Sequence, residues 1–296
     1  MLKKRVITAA VGVPILICII WFGNPWFSII IAAATLAGTF EFYRMAKFPR
    51  AGEEGERTSS PSSPPHSLSD ESSDVMNSFL VRFGLLWSLA TVLSPLALHY
   101  KGIDTSPTIM ASGIVISLIW ILRYPLRDQA FRKWAWMVAG VIYIGWMLGY
   151  WINLRILEDG RNWVYLAMLT TFANDTGAFF TGRKWGKHSL APTISPGKTL
   201  EGALGGLLSS VLAVILLAMA LNSLSPFVFA YWQMVLLGFL VSLFAQLGDL
   251  VESLLKRNMR AKDSGNLLPG HGGVLDRFDS LIFAGAVVYY YVSWIA

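Results

Sequence analysis

Long runs without ionisable side chains dominate the sequence and restrict the folds it can adopt. Residues 6–22 form the first run, and 202–233 is long enough to need a break, expected near 222–226. A helix needs about 20 apolar residues to cross the hydrocarbon core of a bilayer, where only helices and closed barrels satisfy the backbone. Because the runs are continuous rather than alternating, the sequence predicts an all-α polytopic membrane protein with about nine transmembrane helices.

The composition supports this class. Hydrophobic residues make up 54% of the 296 residues and charged residues only 14%, whereas soluble domains are about 25% charged. An ordinary water-soluble enzyme and a disordered chain are therefore excluded. Because Cys18 is the only cysteine, the chain cannot form an internal disulfide.

The positions of the basic residues predict the orientation. If the N-terminus is cytoplasmic, 21 of the 24 lysines and arginines fall in cytoplasmic segments, as the positive-inside rule requires. We therefore expect a multi-pass protein of a bacterial-type inner membrane, with its polar loops facing the cytoplasm. Since these bases are spread over every cytoplasmic segment, the net charge of +6 indicates a membrane partner and no nucleic acid.

The chain divides into two predicted regions. Residues 1–160 contain about five helices, and 161–296 form a catalytic region of about four helices with polar loops at 182–202 and 253–279. Segment 49–74 holds 18 Pro, Ser, Asp or Glu among its 26 residues, which predicts a disordered cytoplasmic insertion. A regulatory or docking loop is the alternative. The glycine pairs Gly145/Gly149 and Gly202/Gly206 predict helix-packing faces.

Several ionisable side chains lie within or beside the predicted spans, where they are costly and commonly mark a functional site. Asp175 interrupts the sixth run, next to Asn174. The side chains that share one face of the eighth helix are Asp249, Glu252, Ser253 and Lys256. A simple pair between Glu252 and Lys256 is an alternative for those two residues. Asp249 is expected to lie deeper, without a local basic partner, which favours a function.

The two polar loops combine basic residues, carboxylates and glycines. Lysine and arginine bind phosphate, glycines let the backbone approach an anion, and carboxylates hold Mg²⁺. The loops therefore predict phosphate and metal chemistry, and an anchor of positive charge would not explain the acids. Gly197-Lys198-Thr199 is not a P-loop, because Pro192 occupies the position of its first glycine.

The stretch Ser253–Asp279 resembles the signature of the phosphatidate cytidylyltransferases. Thirteen positions match: Ser253, Lys256, Arg257, Lys262, Asp263, Gly265, Pro269, His271, Gly272, Gly273, Asp276, Arg277 and Asp279. Stretches 174–183 and 195–202 are also similar to the family. The resemblance is strong over 172–279 and rests only on span count and hydropathy in the first 160 residues.

The resemblance implies that CTP and phosphatidate give CDP-diacylglycerol and pyrophosphate for phospholipid biosynthesis, with Mg²⁺ and a second cation as candidate cofactors. The implied catalytic residues are Asp249, Asp276, Lys256, Lys262, Asp263 and Arg277. The implied substrate-binding residues are Lys198, Arg257, Ser253, His271, Gly272, Gly273, Asp175 and Asn174. The implied metal ligands are Asp249 and Asp276, with Asp279. Membrane lipids are further partners, and a homodimer is compatible with a sequence that does not determine the oligomeric state.

Two other functions remain open. One is a related CTP-dependent lipid kinase or cytidylyltransferase that acts on another lipid phosphate. The other is an ion-coupled transporter, in which Asp175, Asp249 and Glu252 would form a pathway. The polar residues cluster at one membrane face rather than along a path, which favours the enzyme.

Overall fold

The computed structural model describes most of the chain, and its described residues are 12, 14–48, 74–76, 78–123, 130–224, 230–259, 261–265 and 272–295. The predicted insertion lies outside these residues apart from Asp74, and so does the predicted site residue His271.

Helices account for most of the described residues. In chain order they are α1 (14–22), α2 (Trp26–Met45), α3 (Ser78–Lys101), α4 (Ser106–Ile121), α5 (Ala130–Ile156), α6 (Gly160–Trp185), α7 (Leu200–Leu224), α8 (Tyr231–Asn258) and α9 (Leu275–Trp294). The middle of α5, Val141–Trp146, is π-helical. Four short strands accompany them: β1 (Lys47–Phe48), β2 (Asp74–Val75), β3 (Ser189–Ala191) and β4 (Ser195–Thr199).

Five helices within the described ranges are long and apolar enough to cross a membrane, namely α2, α3, α5, α7 and α8. This agrees with the predicted polytopic membrane protein. The run 202–233 is divided as expected, because α7 ends at Leu224 and α8 begins at Tyr231. Helices α6 and α9 are 26 and 20 residues long but do not meet the same criterion of length and apolarity, and both carry predicted site residues.

The predicted glycine pairs form packing faces. A Cβ on Gly202 of α7 would lie 3.2 Å from the Cα of Gly182 in α6. In α5, a Cβ on Gly145 would lie 2.9 Å from the Cα of Ser88 in α3. Both contacts are too tight for most real side chains, so small residues are needed for these helices to approach.

The two predicted regions share one core. Trp151 of α5 donates its indole N–H to the Leu281 carbonyl of α9 at 3.0 Å. Both Trp151 and Leu281 are buried, as is Ile144, which packs beside Leu275 at the start of α9 and Gly38 of α2. The N-terminal helices are therefore in direct contact with the helix that begins inside the signature.

The ends of the predicted insertion are held side by side. Strands β1 and β2 pair antiparallel, with Lys47 opposite Val75 and Phe48 opposite Asp74. The chain thus leaves and re-enters the helical body at one point, and this geometry does not depend on the length of segment 49–73.

We predict that 49–73 can be replaced by Asn-Gly, because that dipeptide closes two directly paired antiparallel strands in a type I′ turn. The apparent unfolding temperature in detergent should not fall, since a shorter loop loses less entropy on closure. Turnover of the implied reaction should also persist. A well-folded variant without turnover would instead assign the segment a regulatory role.

Candidate active site

A polar cavity of about 640 Å³ lies among the adjoining ends of α6, α7, α8 and α9, beside the β3–β4 hairpin. It gathers residues that are far apart in the sequence. Six predicted site residues line it: Asn174, Asp175, Lys198, Asp249, Asp276 and Asp279. Arg183, Thr199, Gly202, Gln246 and Ser280 are also among its walls.

Three carboxylates form a compact cluster at this cavity. Asp249, Glu252 and Asp279 each offer an oxygen, and these oxygens lie within 4.8 Å of one another. The Glu252 side chain is fully buried, and its Oε1 has no hydrogen-bond partner within the described part of the chain. Such a set of oxygens matches the ligands that hard divalent cations prefer. We call Asp249, Glu252 and Asp279 the acidic triad.

A glycine lets the two helices of the triad approach each other. A Cβ on Gly248 of α8 would lie 2.6 Å from the Asp279 carbonyl oxygen of α9. No ordinary side chain tolerates that distance, so Gly248 allows Asp249 and Asp279 to come from different helices into one cluster.

Lys256 lies between Glu252 of the acidic triad and Asp276, which is not part of it. Its Nζ is 2.5 Å from Glu252 Oε2 and 2.7 Å from Asp276 Oδ1. The predicted i,i+4 pair with Glu252 is therefore present, but it is half of a bridge between α8 and the first turn of α9. Sequence reasoning treated this pair as an alternative to function and did not include Glu252 among the metal ligands.

Asp276 organises the backbone around it. Besides Lys256, its carboxylate accepts hydrogen bonds from the backbone N–H groups of Gly273 at 2.9 Å and Ser264 at 3.1 Å. Gly272 has φ +83°, in the left-handed region that favours glycine. The sequence had suggested Asp249, Asp276 and Asp279 as metal ligands, whereas the acidic triad contains Glu252 and not Asp276. The carboxylate of Asp276 instead binds Lys256 and the two backbone N–H groups.

Lys198 reaches the cavity from strand β4. Its Nζ lies 2.7 Å from Asp249 Oδ2. Asp249, expected to have no local basic partner, therefore has a partner that is distant in the sequence. Nearby positions on α8 gave no sign of this partner, because it arrives from a hairpin that precedes Asp249 by 51 residues in the sequence.

The predicted polar loop 182–202 has a defined structure that presents Lys198. Strands β3 and β4 pair antiparallel, and Thr199 Oγ1 accepts the N–H of Gly202 at 3.1 Å, as an N-cap does. The Glu201 carboxylate accepts the backbone N–H groups of Lys187 at 3.0 Å and His188 at 3.2 Å. Glu201 thus fastens the start of the hairpin to the first turn of α7.

Asn174 and Asp175 belong to a polar network between α6 and α8. Asn174 is buried, and its Oδ1 accepts hydrogen bonds from Ser242 at 2.8 Å and Gln246 at 3.2 Å. Its amide donates to Asp175 Oδ1 at 3.0 Å. Asn174 therefore orients Asp175, and the cost of burying its amide is offset by these partners.

Other predicted site residues are not among the described residues that line the cavity. They are Ser253, Lys256, Arg257, Lys262, Asp263, Gly272, Gly273 and Arg277. Arg257 donates to the Ile194 carbonyl at 3.3 Å and so contacts the turn of the hairpin. Lys262 and Asp263 are exposed. The signature loop is shorter than predicted, because α8 extends to Asn258 and α9 begins at Leu275.

Comparison with known proteins identifies the family. The sequence matches the family described as "Cytidylyltransferase family" over residues 67–295. The chain belongs to this family. A phosphatidate cytidylyltransferase of Bacillus subtilis (strain 168) is 29% identical over 99% of this chain and 98% of its own length. One of Staphylococcus epidermidis is 35% identical over 71% of this chain and 80% of its own length.

These comparisons confirm the predicted family and extend the resemblance. The match to the Bacillus protein runs through the first 160 residues, where the sequence by itself offered only span count and hydropathy. The similarity to this relative therefore includes the N-terminal helices.

Sequence reasoning missed several residues that build the site of this cytidylyltransferase. Glu252 was not proposed as a ligand, and Ser242 and Gln246 were not considered. Glu41 of α2 was also overlooked, although its carboxylate accepts the backbone N–H of Leu275, the first residue of α9, at 2.9 Å. Ser242 and Gln246 are four residues apart, which predicts one helix face and was an available signal. Glu41 directly follows the apolar run 26–40, and this position predicts only a polar residue at the end of a membrane span.

We predict that Glu201→Ala loosens the hairpin, because two backbone N–H groups lose their carboxylate acceptor. Hydrogen–deuterium exchange at Lys187 and His188 should become several-fold faster than in the unaltered protein. Glu158→Ala, in the exposed turn before α6, is the matched control and should not change exchange there. Equal exchange in Glu201→Ala and the control would contradict this anchoring role.

Proposed function

We propose that this chain transfers the cytidylyl group of CTP to phosphatidate, releasing pyrophosphate and forming CDP-diacylglycerol. One observation carries the proposal: Asp276 and Asp279 of the family signature line the same cavity as Asp249 and Lys198. Its relatives bear the name of this activity. A cavity at the ends of apolar helices suits one lipid substrate and one polyanion from water.

We further propose nine membrane spans with a cytoplasmic N-terminus. The helix ends around the cavity are those that the distribution of lysines and arginines assigns to the cytoplasm. This orientation puts Lys198 and the acidic triad where CTP is available. It also leaves the phosphate of a membrane lipid at the depth of the cavity.

The acidic triad is the proposed cation site. Its donors are all carboxylate oxygens, and Oε1 of the buried Glu252, which has no hydrogen-bond partner among the described residues, fits a bound ion. Mg²⁺ is the proposed ion, and a second cation is a further proposal. When bound, the ion supplies positive charge that neutralises nucleotide phosphates. Asp276, occupied by Lys256 and two N–H groups, is assigned instead to holding the loop.

The reaction needs positioning more than acid–base chemistry. An oxygen of the phosphatidate phosphate attacks the α-phosphorus of CTP, and the bond to the pyrophosphate oxygen breaks. A phosphate monoester is largely ionised at neutral pH and is already nucleophilic. Lys198 is placed to neutralise phosphate charge. When CTP binds, Lys198 would leave its ion pair with Asp249 and pair with a phosphate of the nucleotide. Arg183, in the cavity wall, offers a second cation.

The activity itself is tested with labelled CTP, Mg²⁺ and phosphatidate in mixed micelles, where a labelled lipid should form. Lys198→Met should lower its formation at least about a hundredfold, because a preorganised cation at the phosphates is lost. Lys184→Met, an exposed lysine over the Trp185 ring, is the control and should retain activity. Labelling of a polyprenyl phosphate but not of phosphatidate would contradict the proposed substrate.

The cation site is tested in Asp279→Asn and Glu252→Gln. Each removes one anionic ligand, so Mn²⁺ binding measured by electron paramagnetic resonance without nucleotide should weaken about tenfold or more. The Mg²⁺ concentration for half-maximal turnover should rise in Glu252→Gln. Glu158→Gln also removes one negative charge, outside the triad, and serves as the control. Unaltered Mn²⁺ binding in both triad variants would refute the site.

A further inference from the structure

Glu41 connects the N-terminal region to the signature loop. It lies in α2, and its side chain is buried, with 2% of the residue exposed. Its Oε2 accepts the backbone N–H of Leu275 at 2.9 Å and the hydroxyl of Ser264 at 3.2 Å. Leu275 is the first residue of α9, so a carboxylate from α2 binds a free N–H at the start of that helix.

The signature loop has two glycines where Glu41 enters. A Cβ on Gly265 would lie 2.5 Å from Glu41 Oε1, and one on Gly273 would meet the Ser264 hydroxyl first and lie 2.6 Å from Glu41 Oε2. Either side chain would displace the carboxylate. Two small positions of the signature thus have a steric explanation, which is that they receive a side chain from another region of the protein.

Ser264 extends the contact from Glu41 to Asp276. Its Oγ donates to Glu41 and accepts the backbone N–H of Asp276 at 3.3 Å, while its own N–H donates to the Asp276 carboxylate at 3.1 Å. Asp276 in turn binds Lys256, which binds Glu252. A continuous series of polar contacts therefore leads from α2 to the acidic triad.

We propose that Glu41 is a positioning residue for cytidylyl transfer, fixing the signature loop and the first turn of α9 so that Asp276 and Lys256 hold the triad. The proposal rests on the proposed function for its kinetic consequences. Among the described residues, the Glu41 carboxylate accepts hydrogen bonds from Ser264 and Leu275, and neither of these lines the cavity. Its effect on the cavity is therefore transmitted by these two residues.

The geometry specifies which replacement should restore function. Both described hydrogen bonds to the Glu41 side chain end on Oε2, and Oε1 has no partner in the described ranges. A glutamine with its carbonyl oxygen in the Oε2 position keeps both bonds. A leucine keeps similar volume but offers no acceptor, so the Leu275 N–H and the Ser264 hydroxyl would lose their partner.

The test compares Glu41→Leu with Glu41→Gln. Glu41→Leu should lower kcat at least about tenfold and raise both the KM for CTP and the Mg²⁺ requirement about threefold or more. Glu41→Gln should stay within about threefold of the unaltered protein. Thr35→Val is the matched control, because the buried Thr35 hydroxyl donates to Ile31 of its own helix. It should leave these values unchanged.

Hydrogen–deuterium exchange without substrates separates this proposal from the proposed function. Peptides covering 261–265 and 272–276 should exchange faster in Glu41→Leu but not in Glu41→Gln or Thr35→Val. This readout needs no turnover, so an inactive unaltered protein would refute the function and leave the positioning test intact. Unchanged exchange in Glu41→Leu would overturn the proposal.

Ser264→Ala completes the test and replaces Glu41→Leu if that variant does not fold. It should lower kcat and speed exchange at Asp276, and its effect should not add to that of Glu41→Leu, since both break one series of contacts. Full activity and normal exchange in Ser264→Ala would overturn the proposal. A fall in kcat with unaltered KM and Mg²⁺ requirement in either variant would indicate only lost folded protein, and would also overturn it.

Discussion

The site depends on holding like charges together away from bulk water. Asp249, Glu252 and Asp279 repel one another, and this repulsion grows as the surroundings become less polar. Two lysines offset it: Lys198 pairs with Asp249, and Lys256 pairs with Glu252 and Asp276. Because Lys198 comes from the β3–β4 hairpin and Lys256 from α8, while Asp279 belongs to α9, the cluster requires the hairpin and both helices to be assembled correctly.

The helices around this cluster divide their tasks by polarity. Helices α7 and α8 are apolar enough to span a membrane, yet α8 ends in the face that carries Asp249, Glu252 and Lys256. Helices α6 and α9 are less apolar, because they carry polar residues that line the cavity, namely Asn174, Asp175 and Asp279. A protein that acts on a lipid and a nucleotide needs both kinds of surface at one depth. Local departures from the membrane pattern are therefore concentrated at the site.

The N-terminal helices do more than anchor the chain. Through Trp151 and Leu281 they pack against α9, and through Glu41 they contact the backbone of the signature loop. Both regions that meet in these contacts fall within the similarity to the Bacillus relative, which covers 99% of this chain. The short pairing of β1 with β2 places Phe48 opposite Asp74, so the length of the chain between them does not set the position of α2.

By itself the sequence determined the helical class, the family and six residues that line the cavity, because hydropathy runs and the spacing in Ser253–Asp279 are local properties of the chain. Only the tertiary structure decided their partners. Lys198 meets Asp249, Glu252 joins Asp279, and Glu41 reaches Ser264 across 223 positions. No periodicity encodes such contacts, since they arise from how helices pack. Gly248, Gly265 and Gly273 show the reason: the sequence marks two of them as signature positions, but only the packed structure shows which neighbour each one admits.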